Sequence, residues 1–552
     1  MGTPVLKRSG MKRVLPILVG IGFCVQSVLF ADSPEPKIAP DAAAPALAAQ
    51  PSGQTSPHHV KTWRALLEDF VLWGSSTLDY WSHYGHYTVD WQFTWKTFWQ
   101  KFFTDQSPRL DSNAFWYNWS HTAAGGAYYT MARINGLDSR WSTLFSFATS
   151  AMWESLSEWR ELIAINDMTF TTFGGPAIGE PLFQVSSYFS RQGGIWNTLA
   201  AFITNPFLSV NNWFDHGNGP AANSAPSPDW HRFSLYSGLK EDMVTPAGTT
   251  AVDQSGAWFR QFNLGLDMET DSTGVAGTGQ AERGFLPNTL SSRVFLDTSF
   301  SSAGLEEIQI RTSAVLFGWS WPFDRPDTDG PGRGGISLGY GMAFELFKKR
   351  PVAWYDSTNE VEAGGQATTG DARFDRPTPT QFTDKLSVIS PLGAVLIVSR
   401  SGTPFGLRWT SALYGDFAMV NALAYNAYTV DHDTSGVKTT LLDWGYYYAL
   451  GMTSSSDVAV DWRQWRVRGA ATYQWYDSIQ GLDRYQYLGL ITNDFKIHDT
   501  RLVWRLLMGY RLAGTPIELG VAAEGIDRHG SILDIREHYS EYRYFYQFRL
   551  IF

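Results

Sequence analysis

Cysteine is almost absent: Cys24 is the single one in 552 residues, and it lies in an apolar leader. A chain that loses that leader can hold no disulfide, thiolate metal site or cysteine nucleophile. Positive charge is not in excess either. The formal net charge is −10, which argues against nucleic acid as a partner. Only 17% of the residues are charged while 15% are aromatic, a balance that excludes a largely disordered chain. Downstream of Phe30, no stretch reaches the roughly 18 uninterrupted apolar residues of a membrane helix. That excludes a helical membrane protein but leaves open a membrane β-barrel, which gives no such run. There is no GxSxG nucleophile elbow and no P-loop. Gly334, Gly335 and Gly339 fall in a strand and its approach, where no phosphate cradle forms.

Lys7, Arg8, Lys12 and Arg13 precede the apolar segment 14–30, and Ala31 offers a small residue for cleavage. Residues 1–31 therefore read as an export signal, with Met11 as an alternative start. Phe23, not a small residue, precedes Cys24, so a lipid anchor is not expected. Residues 32–60 are rich in Pro, Ala, Ser and Gln and read as a linker that buries too little to order itself.

From 230 to 552 the hydropathy alternates with a period of two. Tyr542, Tyr544, Tyr546, Phe548, Leu550 and Phe552 share one face of the last strand, and Glu541, Arg543, Gln547 and Arg549 the other. Trp465, Val467, Tyr473 and Trp475 likewise oppose Gln464, Arg466, Arg468 and Gln474, and Leu502, Trp504, Leu506 and Met508 oppose Arg501 and Arg505. A soluble sandwich would turn the apolar face to a second sheet; an outer-membrane barrel would turn it to lipid. Strands of 9 to 11 residues or more, aromatic residues near strand ends and a terminal aromatic strand favour the barrel.

The expected fold is thus mainly β: a transmembrane antiparallel barrel of about twelve strands over 230–552, preceded by a small α-helical domain. Long and short connections alternate from 348 onward, with short ones at Ser401-Gly402-Thr403, near 455–458 and at Gly514. Two earlier connections break the rule: 269–291 is long and Ala303-Gly304 short, which leaves the count open by two. Arginines such as Arg311, Arg408, Arg466, Arg468, Arg501, Arg505, Arg543 and Arg549 fall on the lumen face with Asp267, Asp297, Glu345, Asp416, Glu518, Glu524 and Glu541. They read as an ion-paired filling, with a charge-selective pore or anion site as the alternative. The expected partners are outer-membrane lipids and the barrel assembly machinery, the latter through the strand ending at Phe552.

Residues 61–220 break the alternation. Trp63, Leu66, Leu67, Phe70 and Leu72 suggest an amphipathic helix, and residues 93–103 another, within a segment 61–110 suited to a membrane surface or to packing. In 111–220, Ala123, Ala124, Gly125, Gly126 and Ala127 give a small-residue face for close helix approach. Gly136 and Asp138 read as a stop and a new cap. The next helix is expected to carry Glu154, Glu158 and Glu161 on one face, followed by a loop with Gly-Gly-Pro and Gly179.

His121 and its small-residue patch, Tyr128-Tyr129, Ala132-Arg133, Asn135-Gly136, Trp153-Glu154, Glu158, Asn166-Asp167, Gly175 and Gly179-Glu180 together resemble the bacterial domain of unknown function 3943 over residues 113–218. The resemblance implies an exported Gram-negative envelope protein and no particular chemistry. From the residues themselves, His121, Glu154 and Glu158, joined by Asp167 or Glu180, could hold a divalent metal such as zinc, manganese or iron. His121, Glu154 and Glu158 are also the candidate acid–base groups of a hydrolase. The alternative is a structural network in which Arg133 pairs with Glu154 or Glu158. His498 and His538 have no assigned serine partner. The leading expectation is a non-enzymatic outer-membrane barrel whose helical domain, in the periplasm or the lumen, plugs or organises it. An envelope-lipid hydrolase and a small-solute channel are the alternatives.

Overall fold

The computed structural model describes residues 60–83, 94–159, 161–215, 228, 230–245, 258–273, 283–302, 304–323, 333–349, 384–402, 404–483 and 491–552. The expected signal peptide, 1–31, and the expected linker, 32–60, lie outside them except for residue 60. Thirteen strands form one antiparallel sheet: β1 (Trp230–Thr245), β2 (Trp258–Asp271), β3 (Gly284–Leu286), β4 (Ser291–Ser301), β5 (Gly304–Pro322), β6 (Arg333–Lys349), β7 (Lys385–Ser401), β8 (Phe405–Asn421), β9 (Tyr446–Trp462), β10 (Trp465–Ser478), β11 (Ile497–Arg511), β12 (Ile517–Ile532) and β13 (Ile535–Ile551).

Twelve of these close into a barrel, with β13 on β1 and β5 on β6. The short β3 pairs with β5 beyond the start of β4. The sequence count of twelve therefore holds, and the two irregular connections are real features: β2 reaches β4 through a long segment containing β3, and β4 turns tightly into β5 at Ser301↔Gly304. One turn is displaced. Residues 455–458 are mid-strand, and β9 turns into β10 through Arg463 and Gln464, with Arg463 at φ 55°. A two-residue hairpin requires such positive φ, and the serine run gave no hint that pairing continued through it.

Closure is staggered. Stepping from Phe233 across successive partners reaches Arg536 on β13, whereas Phe233 itself meets Phe552. A stagger of this kind tilts the strands by about 40° to the barrel axis.

Charge is inside and apolar surface outside. Glu345 on β6 accepts from Arg311 of β5 and from Gln474 of β10, across the barrel, so the odd-numbered residues of β6 near it face inward. On the other face of the wall, Leu506, Tyr546 and Leu413 are each more than half exposed. A closed sheet with buried arginines and exposed leucines and tyrosines is stable only where hydrocarbon meets its outside.

Helices α1 (Thr62–His83), α2 (Trp95–Phe103), α3 (Phe115–Ile134), α4 (Ser139–Met152), α5 (Ile165–Gly174), α6 (Glu180–Gln192), α7 (Ile195–Thr204) and α8 (Pro206–Phe214) precede the barrel. The stop at Gly136 (φ 91°) and the cap at Asp138, whose carboxylate accepts from Arg140 N and Trp141 N, follow the sequence reading. Two local readings do not. The helix expected to align Glu154, Glu158 and Glu161 ends at Met152 in a π turn, Trp153–Ser157, with Glu158 beyond it at ψ 54°. The expected glycine-rich loop is instead helical, α5 running through the π turn Gly175–Gly179 into α6. Its glycines serve close packing: a Cβ on Gly179 would lie 2.8 Å from the Tyr129 ring and 2.9 Å from Gly126 O.

The helical domain lies against the outside of the barrel, not in the lumen. Phe344, Leu346, Ile389, Phe417, Met419, Tyr446 and Tyr448 sit on the wall's outward face, opposite in parity to Glu345, Val388 and Tyr447, yet all are buried under Leu110, Phe115, Phe170, Ala177 and Ile178. Trp119 meets Phe344 at 5.6 Å between ring centroids, and Phe170 meets Phe417 at 5.7 Å. Farther round, Val185 and Phe189 of α6 cover Phe233, Met268 and Val294. The covered wall also carries outward polar side chains, including Thr270, Ser292, Thr312 and Ser387, all buried. Lipid would leave such groups unsatisfied, so this stripe is built to be covered by protein.

Part of the lumen is filled by the barrel's own connection. The β8–β9 connection folds inward as α9 (Tyr425–Asp431) and α10 (Thr439–Trp444), and Tyr425, Tyr428 and Leu441 pack on inward Phe347, Val388, Tyr447 and Ile497. Standing outside the wall, the helical domain does not fill the lumen as the plugging role would require.

Candidate functional site

The site candidates converge because α3 and α5 touch at backbone distance. A Cβ on Gly125 would lie 1.8 Å from Thr171 O, and one on Gly174 would lie 2.8 Å from Thr122 O. No larger residue allows that approach, and it brings His121 of α3 beside Asp167 in the first turn of α5, with Nε2 3.4 Å from Oδ1. Glu154, from the π turn, and Glu158 complete the group: carboxylate oxygens of Glu154, Glu158 and Asp167 lie within 4.8 Å of one another. Three of the five sequence candidates, Glu154, Glu158 and Asp167, therefore cluster, and a fourth, His121, adjoins Asp167 alone.

Each is also held by the fold. Glu154 Oε2 accepts from Ala164 N at 2.7 Å, and Glu158 Oε1 accepts from Trp153 Nε1 at 2.9 Å. Asn166 donates to Asp167 Oδ1 at 2.6 Å and to Asn118 Oδ1 at 2.9 Å. Lys101 of α2 is buried here and donates to the carbonyls of Glu154 and Glu158, the latter at 2.7 Å. Burial lowers the His121 imidazole to about 4, so at neutral pH it is uncharged and has a ring lone pair free for a cation.

The network continues into the barrel wall. Asn118 donates to Tyr448 OH at 3.3 Å, and Tyr446 OH donates to Asn113 O at 2.5 Å. Sequence reasoning missed Lys101, Asn118, Tyr446 and Tyr448. A lysine in the aromatic run WKTFWQKFF and three consecutive tyrosines, 446–448, were the signals available.

Glu180, the fifth candidate, lies elsewhere. Arg133 donates to it through Nε (2.7 Å) and Nη2 (3.0 Å), and Tyr129, Gln184 and Thr289 add three more hydrogen bonds. Burial alone would raise this carboxyl, but the Arg133 guanidinium and those donors carry it down to about 2. The expected Arg133 pairing with Glu154 or Glu158 is replaced by this one. Glu161 turns away to accept from Tyr80 OH at 3.3 Å.

Within the lumen, ion pairs span the barrel. Arg468 of β10 reaches Asp267 of β2, Arg293 of β4 reaches Asp457 of β9, and Arg543 of β13 reaches Glu307 of β5. Arg408 of β8 forks to Glu269 and Asp271 of β2, both at 2.6 Å. Below them, at the end with the short turns, a cavity of about 270 Å³ is lined by residues including Trp230, Leu407, Arg408, Asp461 and Arg466.

No curated protein sequence matches the chain. Among solved structures it is similar to the outer membrane channel DcaP of Acinetobacter baumannii (11% identity, TM-score 0.19, 58% of this chain and 96% of that one). The Pseudomonas putida toluene transporter TodX gives 10% identity and a TM-score of 0.18 over 59% of this chain and 90% of that one. The translocator domain of the autotransporter NalP from Neisseria meningitidis gives 11% and 0.18 over 66% and 99%. At such scores the barrel assignment rests on the strand register alone. Residues 107–207, which carry α3 to α7, match the domain of unknown function DUF3943.

Proposed function

We propose that this is a Gram-negative outer-membrane protein in which the helical domain is a lateral, membrane-side module that organises the barrel wall. The observation that carries this reading is the burial of outward-facing Phe344 and Phe417 under Trp119 and Phe170. The far side of the helices continues the apolar exterior: Trp63, Trp95, Ile195 and Trp213 are each more than 70% exposed. A module fixed to the lipid side of a barrel, with a greasy far side, is solvated by acyl chains. The α9–α10 cap and the cross-lumen ion pairs support a closed interior and weigh against an open channel.

The test uses a chain lacking Cys24, with single cysteines spin-labelled at Leu66, Phe202 or Trp213. Collisions with oxygen should exceed those with a water-soluble nickel chelate, as at Leu506 on the bare wall. The opposite ranking at all three helix positions would overturn the reading.

A second reading, a metal-dependent or acid–base hydrolase, is favoured by one observation: the carboxylates of Glu154, Glu158 and Asp167 cluster, and His121 adjoins Asp167. Stoichiometric bound metal that is lost in His121→Ala and Glu154→Gln would support it. Metal-free protein whose variants match the parent would end it.

A further inference from the structure

The β12–β13 hairpin carries a second cluster of ligand type, far from the helices. Ile532 pairs with Ile535 across the two-residue turn Leu533-Asp534, with Leu533 at φ 55°. Four rungs of the ladder from that turn, His529 and His538 lie directly opposite each other, and Asp527 stands two residues before His529 on the same face. Arg528, between them in sequence, points inward to Asp384, so all three ligand-type side chains point outward. Both imidazoles aim Nε2 at one oxygen, Asp527 Oδ1, at 2.7 Å from His538 and 3.5 Å from His529. The rings lie 13° from parallel with centroids 4.4 Å apart.

We propose that Asp527, His529 and His538 form a binding site for a divalent transition-metal ion at the barrel rim. Ligand bonds of about 2.0–2.1 Å in a tetrahedral site place neighbouring donor atoms about 3.3 Å apart; the His529 separation of 3.5 Å is close to this, and the 2.7 Å His538 contact, a hydrogen bond in this structure, has to lengthen to reach it. The backbone ladder fixes the Cα positions that bring the three side chains together. Two imidazoles and one carboxylate select zinc, copper or nickel over magnesium or calcium, which prefer all-oxygen sites. His529 and His538 are more than half exposed, which leaves room for water at the remaining position and an open path from solvent. Bound metal would clamp the two strands at their turn and, by mass action, stabilise the paired hairpin.

The experiment takes the full chain in detergent, without a histidine tag and stripped by chelator, and titrates zinc against a chromophoric competitor. The expected result is one saturable site, weakened at least tenfold in His529→Ala and in His538→Ala and retained in His498→Ala. Cobalt in place of zinc should give a visible d–d band that the same two variants abolish. Heat-dependent gel migration confirms that each variant keeps its barrel. No saturable binding, or binding that survives His529→Ala and His538→Ala, overturns the proposal. Binding lost only in His121→Ala also does so and assigns the ion to the helical cluster.

Discussion

Replacing Phe344 with alanine puts the outer-wall docking to the test. Phe344 points away from the lumen, is 1% exposed and packs on Trp119. If helices cover it, truncation removes the ring from a protein-lined site that cannot refill, at a cost of about 3–5 kcal/mol. At about 1.4 kcal/mol per tenfold, opening of the helical domain should then become about a hundred- to several-thousandfold more frequent. Hydrogen exchange read peptide by peptide in detergent follows this directly. Protection in α3 and α5 should fall by that factor in Phe344→Ala, and also in Phe417→Ala, whose partner is Phe170. Strands β10 to β13 should keep theirs. Leu506→Ala on the bare wall has no helix to release and should leave α3 and α5 unchanged. The reasoning fails if α3 and α5 exchange as in the parent while lumen-facing Glu345→Ala loosens them, for that would put the helices inside.

The remaining tests address the helical core and the lumen. Glu180→Gln strands the buried Arg133 guanidinium and should cost about 3–5 kcal/mol, read by urea titration of helix proteolysis. Gly125→Ala forces α3 off α5 at the Thr171 carbonyl; the loss should be about 1–3 kcal/mol by the same titration. The folded His121 pKa lies near 4, below the free value of 6.5, so the unfolded chain takes the proton first. The His121 contribution, read as the difference between the parent and His121→Gln, should therefore be absent above pH 6.5 and should destabilise the parent by up to about 3 kcal/mol as pH falls from 6.5 to 4. Deleting residues 424–443 removes the α9–α10 cap. In planar bilayers that deletion should conduct weakly, with a further rise when Arg468→Ala and Arg293→Ala also break the cross-lumen pairs.

Strand identity and facing were legible in the sequence because a period of two has one structural meaning. Tyr542 to Phe548 could alternate with Glu541 to Arg549 only on a sheet wet on one side and greasy on the other. The stop at Gly136, the cap at Asp138 and the close approach at Gly125 were legible for the same reason, each resting on local chemistry. Whatever depends on who covers a face was decided by tertiary structure. Phe344, buried under Trp119, and Leu506, open to lipid, are both large apolar residues on outward positions, and no local pattern separates them. The same holds for the carboxylates. Glu154, Glu158 and Glu180 look alike in sequence, but a π turn after Met152 swings the first two toward Asp167, while Arg133 claims the third. Pairing across the lumen, such as Arg468 with Asp267, is set by barrel closure and stagger, which join residues 201 positions apart that share no local signal.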